Sequence, residues 1–125
     1  MIAETPWPTE IRLSNGGSLL TLAYEDGSEH EMSAEYLRVH SPSAEVQGHS
    51  PSQRQTQFGK RLVTIQEIRP TGNYAVRLVF DDRHDSGIFT FVYLRELGEQ
   101  QEQKWAAYLA ELEAKGLSRD RKPPH

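Results

Sequence analysis

Residues 20–38 read LTLAYEDGSEHEMSAEYLR, and residues 76–95 read VRLVFDDRHDSGIFTFVYLR. Superposed with one extra residue in the second stretch, they set Leu22 on Leu78, Tyr24 on Phe80 and Asp26 on Asp82. Tyr36-Leu37-Arg38 then falls on Tyr93-Leu94-Arg95. Each copy reads as an alternating strand, an acidic turn, a short strand and a helix opened by a hydroxyl cap, Ser33 or Thr90. Two copies are too few for a solenoid. The echo leaves two readings: two similar units related by a pseudo-twofold, or a chance likeness between short hairpins.

Working outward, Ile11 and Leu13 alternate with polar neighbours, and Asn15-Gly16 and Asp26-Gly27 are dipeptides that suit tight hairpin turns. Leu62 opens a second apolar run, and the PTGN stretch at 70–73 supplies turn chemistry before Val76, Leu78 and Phe80. The helix after Thr90 is expected to stop at Gly98. Residues 99–116 then predict another helix, with Trp105, Tyr108, Leu109 and Leu112 on one stripe. Glu99 and Glu102 suit its start, Lys115 its end, and Gly116 stops it. The stripe packs on the domain in one reading and on a partner or second copy in the other. SRDRKPPH at 118–125 reads as a frayed tail. The expected fold is α+β: a largely antiparallel twisted sheet of about six strands, two short helices and a C-terminal amphipathic helix. Residues 8–98 form the domain, and residues 99–125 the C-terminal helix and a disordered tail.

A chain of 125 residues suits one domain with one core. Two tryptophans, five tyrosines and four phenylalanines argue against a wholly disordered chain. A net charge of −4 gives no broad attraction to nucleic acid or anionic membrane, and Arg119, Arg121 and Lys122 read as a solvated end. There are no cysteines, so disulfides, thiolate nucleophiles and cysteine-ligated metals are excluded within this chain. The first residues, MIAETPWPTE, have neither the basic start nor the apolar run of a secretory signal, and no stretch approaches the ~20 apolar residues of a membrane span. A cytoplasmic protein without membrane or nucleic-acid partners is expected.

The chemistry concentrates around VHSPSAEVQGHSP, residues 39–51. His40, His49 and His84 are candidate ligands for zinc or iron, with Glu45 or Asp85 adding a carboxylate. Against this, His40 and His49 stand nine apart in a loop, unlike a helical i, i+4 metal pair. His84-Asp85-Ser86 contains the residue types of a hydrolytic triad, but neighbours on an extended segment point to opposite faces. No phosphate-binding glycine loop is present, and Lys60 and Arg61 read as charges protecting a sheet edge. Residues 40–58 form a long loop, of the length usually associated with function or with disorder. A mobile linker is one reading. A recognition surface of Arg38, Glu45, Gln47 and His49 is the other.

YLRVHSPSAEVQGH, then GKRLVTIQEIRPTGNYAVRLVFDDRHDSGIF, then YLREL together resemble the gamma-butyrobetaine hydroxylase-like N-terminal domain family, over about residues 10–98. Many members are small stand-alone bacterial proteins of unknown function. The same module is similar to the front domain of gamma-butyrobetaine and trimethyllysine dioxygenases, and elsewhere is joined to P-loop ATPases of iron–sulfur cluster assembly. The resemblance implies a structural zinc in the dioxygenases, held by three cysteines and a histidine. Those positions fall here on Ser41, Ser43, Val46 and His84, so the implied site has lost its thiolates. Arg83 stands where the family commonly has glycine, which implies a strained or altered turn. No His-x-Asp or His-x-Glu exists for an oxygenase iron triad, so the dioxygenase reaction does not carry over.

The functional expectation is a non-catalytic accessory or protein-interaction domain acting beside an enzyme or assembly factor, without a resident cofactor. The alternative is a metal-binding or iron–sulfur-assembly-related module using His40, His49 and His84. A small hydrolase or isomerase stands third, since Asp81, Asp82 and Asp85 read as turn formers.

Overall fold

The computed structural model describes residues 7–48 and 54–120. Strands β1 (Glu10–Ser14), β2 (Leu19–Ala23) and β3 (Glu29–Ser33) form one antiparallel meander, followed by helix α1 (Ala34–Val39). Strands β4 (Ile65–Thr71), β5 (Ala75–Phe80) and β6 (Ile88–Thr90) form a second, followed by α3 (Phe91–Glu99). A one-turn helix α2 (Ala44–Gln47) lies between the halves, and α4 (Gln101–Lys115) closes the chain. The fold is α+β, with six strands divided between two three-stranded sheets.

The echo in the sequence is a repeat in the structure. Ser33 Oγ accepts from Tyr36 N at 3.0 Å, and Thr90 Oγ1 accepts from Tyr93 N at 3.0 Å. These caps occupy the same place in both copies and satisfy an otherwise orphan helix donor. The turns also match. Tyr24 N donates to Ser28 O and Gly27 N to Tyr24 O; correspondingly, Phe80 N donates to His84 O and Arg83 N to Phe80 O. Asp26 Oδ1 accepts from Ser28 N, as Asp82 Oδ1 does from His84 N. This turn requires a positive φ at its fourth residue: +89° at Gly27 and +72° at Arg83.

The units interlock rather than stand side by side. Tyr36 Oη donates to Leu97 O at 2.7 Å, and Tyr93 Oη donates to His40 O at 2.6 Å. Each tyrosine therefore reaches the backbone four residues beyond its counterpart. Gly98 lies against His30, and Gly87 against Ser41, so each helix end meets the last strand segment of the other unit where one partner lacks a Cβ. One core results: Leu20, Leu22, Met32 and Leu37 from the first unit pack with Leu78, Phe80, Phe89, Leu94 and Leu97 from the second. Complete burial of each such side chain contributes roughly 1.5–3 kcal/mol, so neither sheet is built to stand without the other.

Several expectations need correction. Gly98 does not stop α3, which runs on to Glu99, because the missing Cβ makes room for His30 rather than ending the helix. Leu62 does not open a strand; it sits in a turn, and β4 begins at Ile65. The 40–58 loop is not without structure, since α2 forms within it and Gln55 N donates to Val46 O. Residues 118–120 are docked rather than frayed. Ser118 O and Arg119 O accept from Gly59 N and Arg61 N, and Arg119 forms a two-pronged ion pair with buried Glu35. Residues 121–125 lie outside the described residues. The α4 stripe packs on the domain: Tyr108 and Leu112 join Val39 in a second apolar cluster, while Leu109 stays exposed. No helix among the described residues is long and apolar enough to cross a membrane.

Candidate functional site

α1 is buried along its whole length, and the residues following it meet the β5–β6 turn. Arg38, in the last turn of α1, donates from Nε to Asp82 Oδ2 at 2.9 Å; Lys60 Nζ reaches the same oxygen at 2.6 Å. Burial pushes the Asp82 carboxyl upward, but the hydrogen bonds and charges of Lys60 and Arg38 outweigh it and hold the group below the usual carboxylate range. Arg38 is only 7% exposed. Its assignment to a recognition surface is therefore corrected: the guanidinium ties α1 of one unit to the turn of the other.

The next residues form a buried polar cluster. Ser41 Oγ lies 2.8 Å from His84 Nε2 and also accepts from Ser43 N. Ser43 Oγ bonds Ser86 Oγ at 2.7 Å, and Gln47 Nε2 donates to Ser41 O at 2.9 Å. Val46 is buried on α2, and its backbone N donates to Ser43 O at 3.0 Å. Four positions that the family resemblance associates with zinc thus share one corner of the fold. Their donors do not fit that metal. There is one imidazole, two hydroxyls that remain protonated at neutral pH and one isopropyl group, where structural zinc takes four nitrogen or thiolate ligands. The corner is fastened by hydrogen bonds instead. Ser41 and His84 are placed like a nucleophile and base, yet Ser41 is fully buried, so its hydroxyl is closed to an external substrate.

The remaining anticipated residues are dispersed. His40 caps α1, directs Nδ1 at Tyr36 O at 2.9 Å and packs between the rings of Tyr36 and Tyr108. His84 instead packs against Phe80. Gln47 lies on α2 with its amide nitrogen engaged, and Glu45 lies on the same helix. His49 falls outside the described residues. The structure holds His84 on Ser41 and Phe80, whereas His40 is held on Tyr36 and Tyr108.

The most conspicuous surface feature was not anticipated. Leu62 is 84% exposed and Phe58 52% exposed. The loop carrying them is held on both sides: Gly59 and Arg61 pair through their backbones with the C-terminal segment, Val63 N donates to Lys60 O, and Arg61 forms an ion pair with Asp120. Beside the loop, an open cleft of about 840 Å³ has a mixed lining: the cations Lys60, Arg61, Arg83 and Arg119 face the acids Asp81, Asp82 and Asp120. Arg83 is exposed and forms no ion pair among the described residues, whereas the nearby acids are engaged: Asp82 by Arg38 and Lys60, Asp120 by Arg61, and Asp81 by Thr64 N. The sequence signal was present in Lys60-Arg61-Leu62, a leucine directly after two cations.

These features define a class: a small α+β domain of two interlocked βββα units, with a hydrogen-bonded serine–histidine corner and an apolar loop fastened by backbone bonds beside a cleft of mixed charge. The chain belongs to the gamma-butyrobetaine hydroxylase-like, N-terminal family, whose model matches residues 11–95. Three solved structures are similar. One, determined in solution by NMR, is 47% identical, covers 97% of this chain and 95% of its own, and superposes with a TM-score of 0.82. Another NMR structure is 38% identical over 98% and 95%, with a TM-score of 0.79. A crystal structure of a protein of unknown function from Acidithiobacillus ferrooxidans is 37% identical over 74% and 92%, with a TM-score of 0.61. No protein of curated function matches the sequence.

Proposed function

We propose that this domain is a non-catalytic accessory module that binds a protein partner through the Phe58–Leu62 loop and the neighbouring Arg83. The observation that supports this most is Leu62. A nearly bare leucine costs free energy in water, and a mobile loop would let it fold back against the surface. Here the backbone bonds to Ser118 and Arg119 hold it outward. Rigid presentation of an apolar anchor beside a charged rim is the usual anatomy of an interaction surface, because ordering the loop in advance lowers the cost of binding. The matching partner surface is an apolar pocket for Leu62 with one acidic group placed for Arg83, since Lys60, Arg61 and Arg119 are already ion-paired. The conspicuous polar residues elsewhere, Arg38, Ser41, His84 and Glu35, are buried in contacts that fasten the fold.

Leu62→Asp is the direct test. It removes an exposed side chain from no core, so the melting temperature is expected to stay near that of the parent. Specific capture of a partner from cell extract is expected to fall at least about tenfold, a loss of roughly 1.4 kcal/mol. Leu109→Asp, also at an exposed leucine but away from the loop, serves as the control and is expected to leave capture unchanged. Equal capture by the parent and Leu62→Asp would remove the loop from the proposal.

A further inference from the structure

A cavity of about 440 Å³ opens between the end of α1, the loop at Gln57, α3 and α4; His40, Gln47, Arg54, Lys104, Tyr93 and Tyr108 line it. It is separate from the Leu62 face, and the interaction reading makes no use of it. Its polar groups can be sorted by what they already bind. The hydroxyls of Tyr93 and Tyr108 donate to His40 O and Gln57 O. The amide nitrogen of Gln47 donates to Ser41 O. Glu111 also lines the cavity, its carboxylate already paired with Arg54 and approached by Lys115.

Two groups stay open to a ligand. The first is His40. Its Nδ1 faces a carbonyl, which can only accept, so the proton sits on Nδ1 and the neutral ring presents a lone pair at Nε2. Among the described residues that nitrogen has no hydrogen-bond partner. Desolvation chiefly, and then Lys104 and Arg54, hold the imidazole below its ordinary value, against the opposing effects of Tyr36 O and Glu111. The second is Lys104, whose nearest acid, Glu96, stands 3.8 Å away on the outer side of α3. A neutral acceptor and an under-compensated ammonium therefore share a cavity with two aromatic walls. The complementary molecule brings a negative charge for Lys104 and a hydrogen-bond donor for His40.

We propose that this cavity binds a small carboxylate that also carries a hydroxyl donor, with the carboxylate on Lys104 and the hydroxyl on His40 Nε2. The probes are L-malate and succinate, which differ by that hydroxyl, added to the full-length protein with the His40 ring protons and nitrogens followed by NMR. L-malate is expected to give saturable shifts at His40, and succinate to bind roughly fivefold more weakly for lack of one hydrogen bond. Lys104→Gln is expected to weaken L-malate about tenfold while leaving the fold spectrum intact, since Lys104 makes only an exposed, long ion pair. Three results would each overturn the proposal: no saturable shift with millimolar malate, the same shift from sodium chloride at equal ionic strength, or unchanged malate binding in Lys104→Gln. Equal binding of malate and succinate would overturn the assignment of His40 as the hydroxyl acceptor.

Discussion

The two βββα units share turn, cap and interlocking tyrosine, yet their turns have diverged. In the first unit, Gly27 takes the positive φ with no steric cost and Ser28 follows it at the surface. In the second, Arg83 takes that conformation and His84 turns inward to Ser41. The counterpart arginines differ similarly: Arg38 is buried against Asp82, while Arg95 lies 4.5 Å over the Tyr24 ring and pairs with exposed Glu99. One scaffold thus carries a plain turn in its first half and a chemically loaded turn in its second. The interlock is what both halves retain. The loaded turn is what distinguishes the face beside Leu62.

The largest expected effect separates the arginines. Arg38→Met strips a half-buried carboxylate of one of its two cations and is expected to cost about 2–3 kcal/mol, below the full loss for a buried pair because Lys60 remains on Asp82. Arg95→Met is expected to cost less than about 1 kcal/mol, since its ion pair is exposed and a stacked methionine retains part of the Tyr24 contact. Urea unfolding of both variants checks the difference; equal losses would mean the two halves are not mechanically distinct. Next come the tyrosines. Tyr36→Phe leaves a buried carbonyl at Leu97 without its donor and is expected to cost about 1–2 kcal/mol, with Tyr93→Phe slightly less at its part-buried site. A double variant whose loss exceeds the sum would show that the two bonds act as one clasp.

A smaller effect has opposite signs in the two turns. Arg83→Gly relieves a left-handed side chain and is expected to stabilise by about 0.5–1 kcal/mol, after the greater freedom of glycine in the unfolded chain is subtracted. Gly27→Ala imposes the strain instead and is expected to destabilise by about 1 kcal/mol. Thermal unfolding of the pair checks the sign. The smallest effect is the pH response of His40. Its folded-state value lies below the ordinary one, so its contribution is fully present above the unfolded value near 6.5 and is lost as pH falls through the folded value. The stability gap between the parent and His40→Gln is expected to be constant above neutrality and to shift against the parent below about pH 6. Parallel curves throughout would contradict the burial assigned to His40.

Much of this was legible in the sequence because it is local. The caps Ser33 and Thr90, the tight turn at Gly27 and the tyrosine–leucine–arginine repeat all act within a few residues of themselves. The repeat also located the one-residue insertion, which moves the offset between copies from 56 in the second strands to 57 in the third strands and the helices. What escaped was relational. Arg38 reads as a surface cation until Asp82, 44 residues away, is placed beside it. Gly98 reads as a helix stop until His30 is seen to need its space. Leu62 reads as the first residue of a strand because alternation cannot tell a leucine that enters the core from one held outside it. Only the backbone pairing with Ser118 and Arg119 separates them.

The contrast between the anticipated surface, Glu45 and Gln47 on α2, and the proposed one, Phe58 to Leu62 with Arg83, can be settled by one measurement. Amide hydrogen exchange of the captured complex would be compared with that of the free domain, residue by residue. Partner binding through the second unit's face predicts added protection across 58–63 and 82–84, with 44–48 exchanging as in the free protein. Protection confined to 44–48, with 58–63 unchanged, would contradict it and return the interaction to α2.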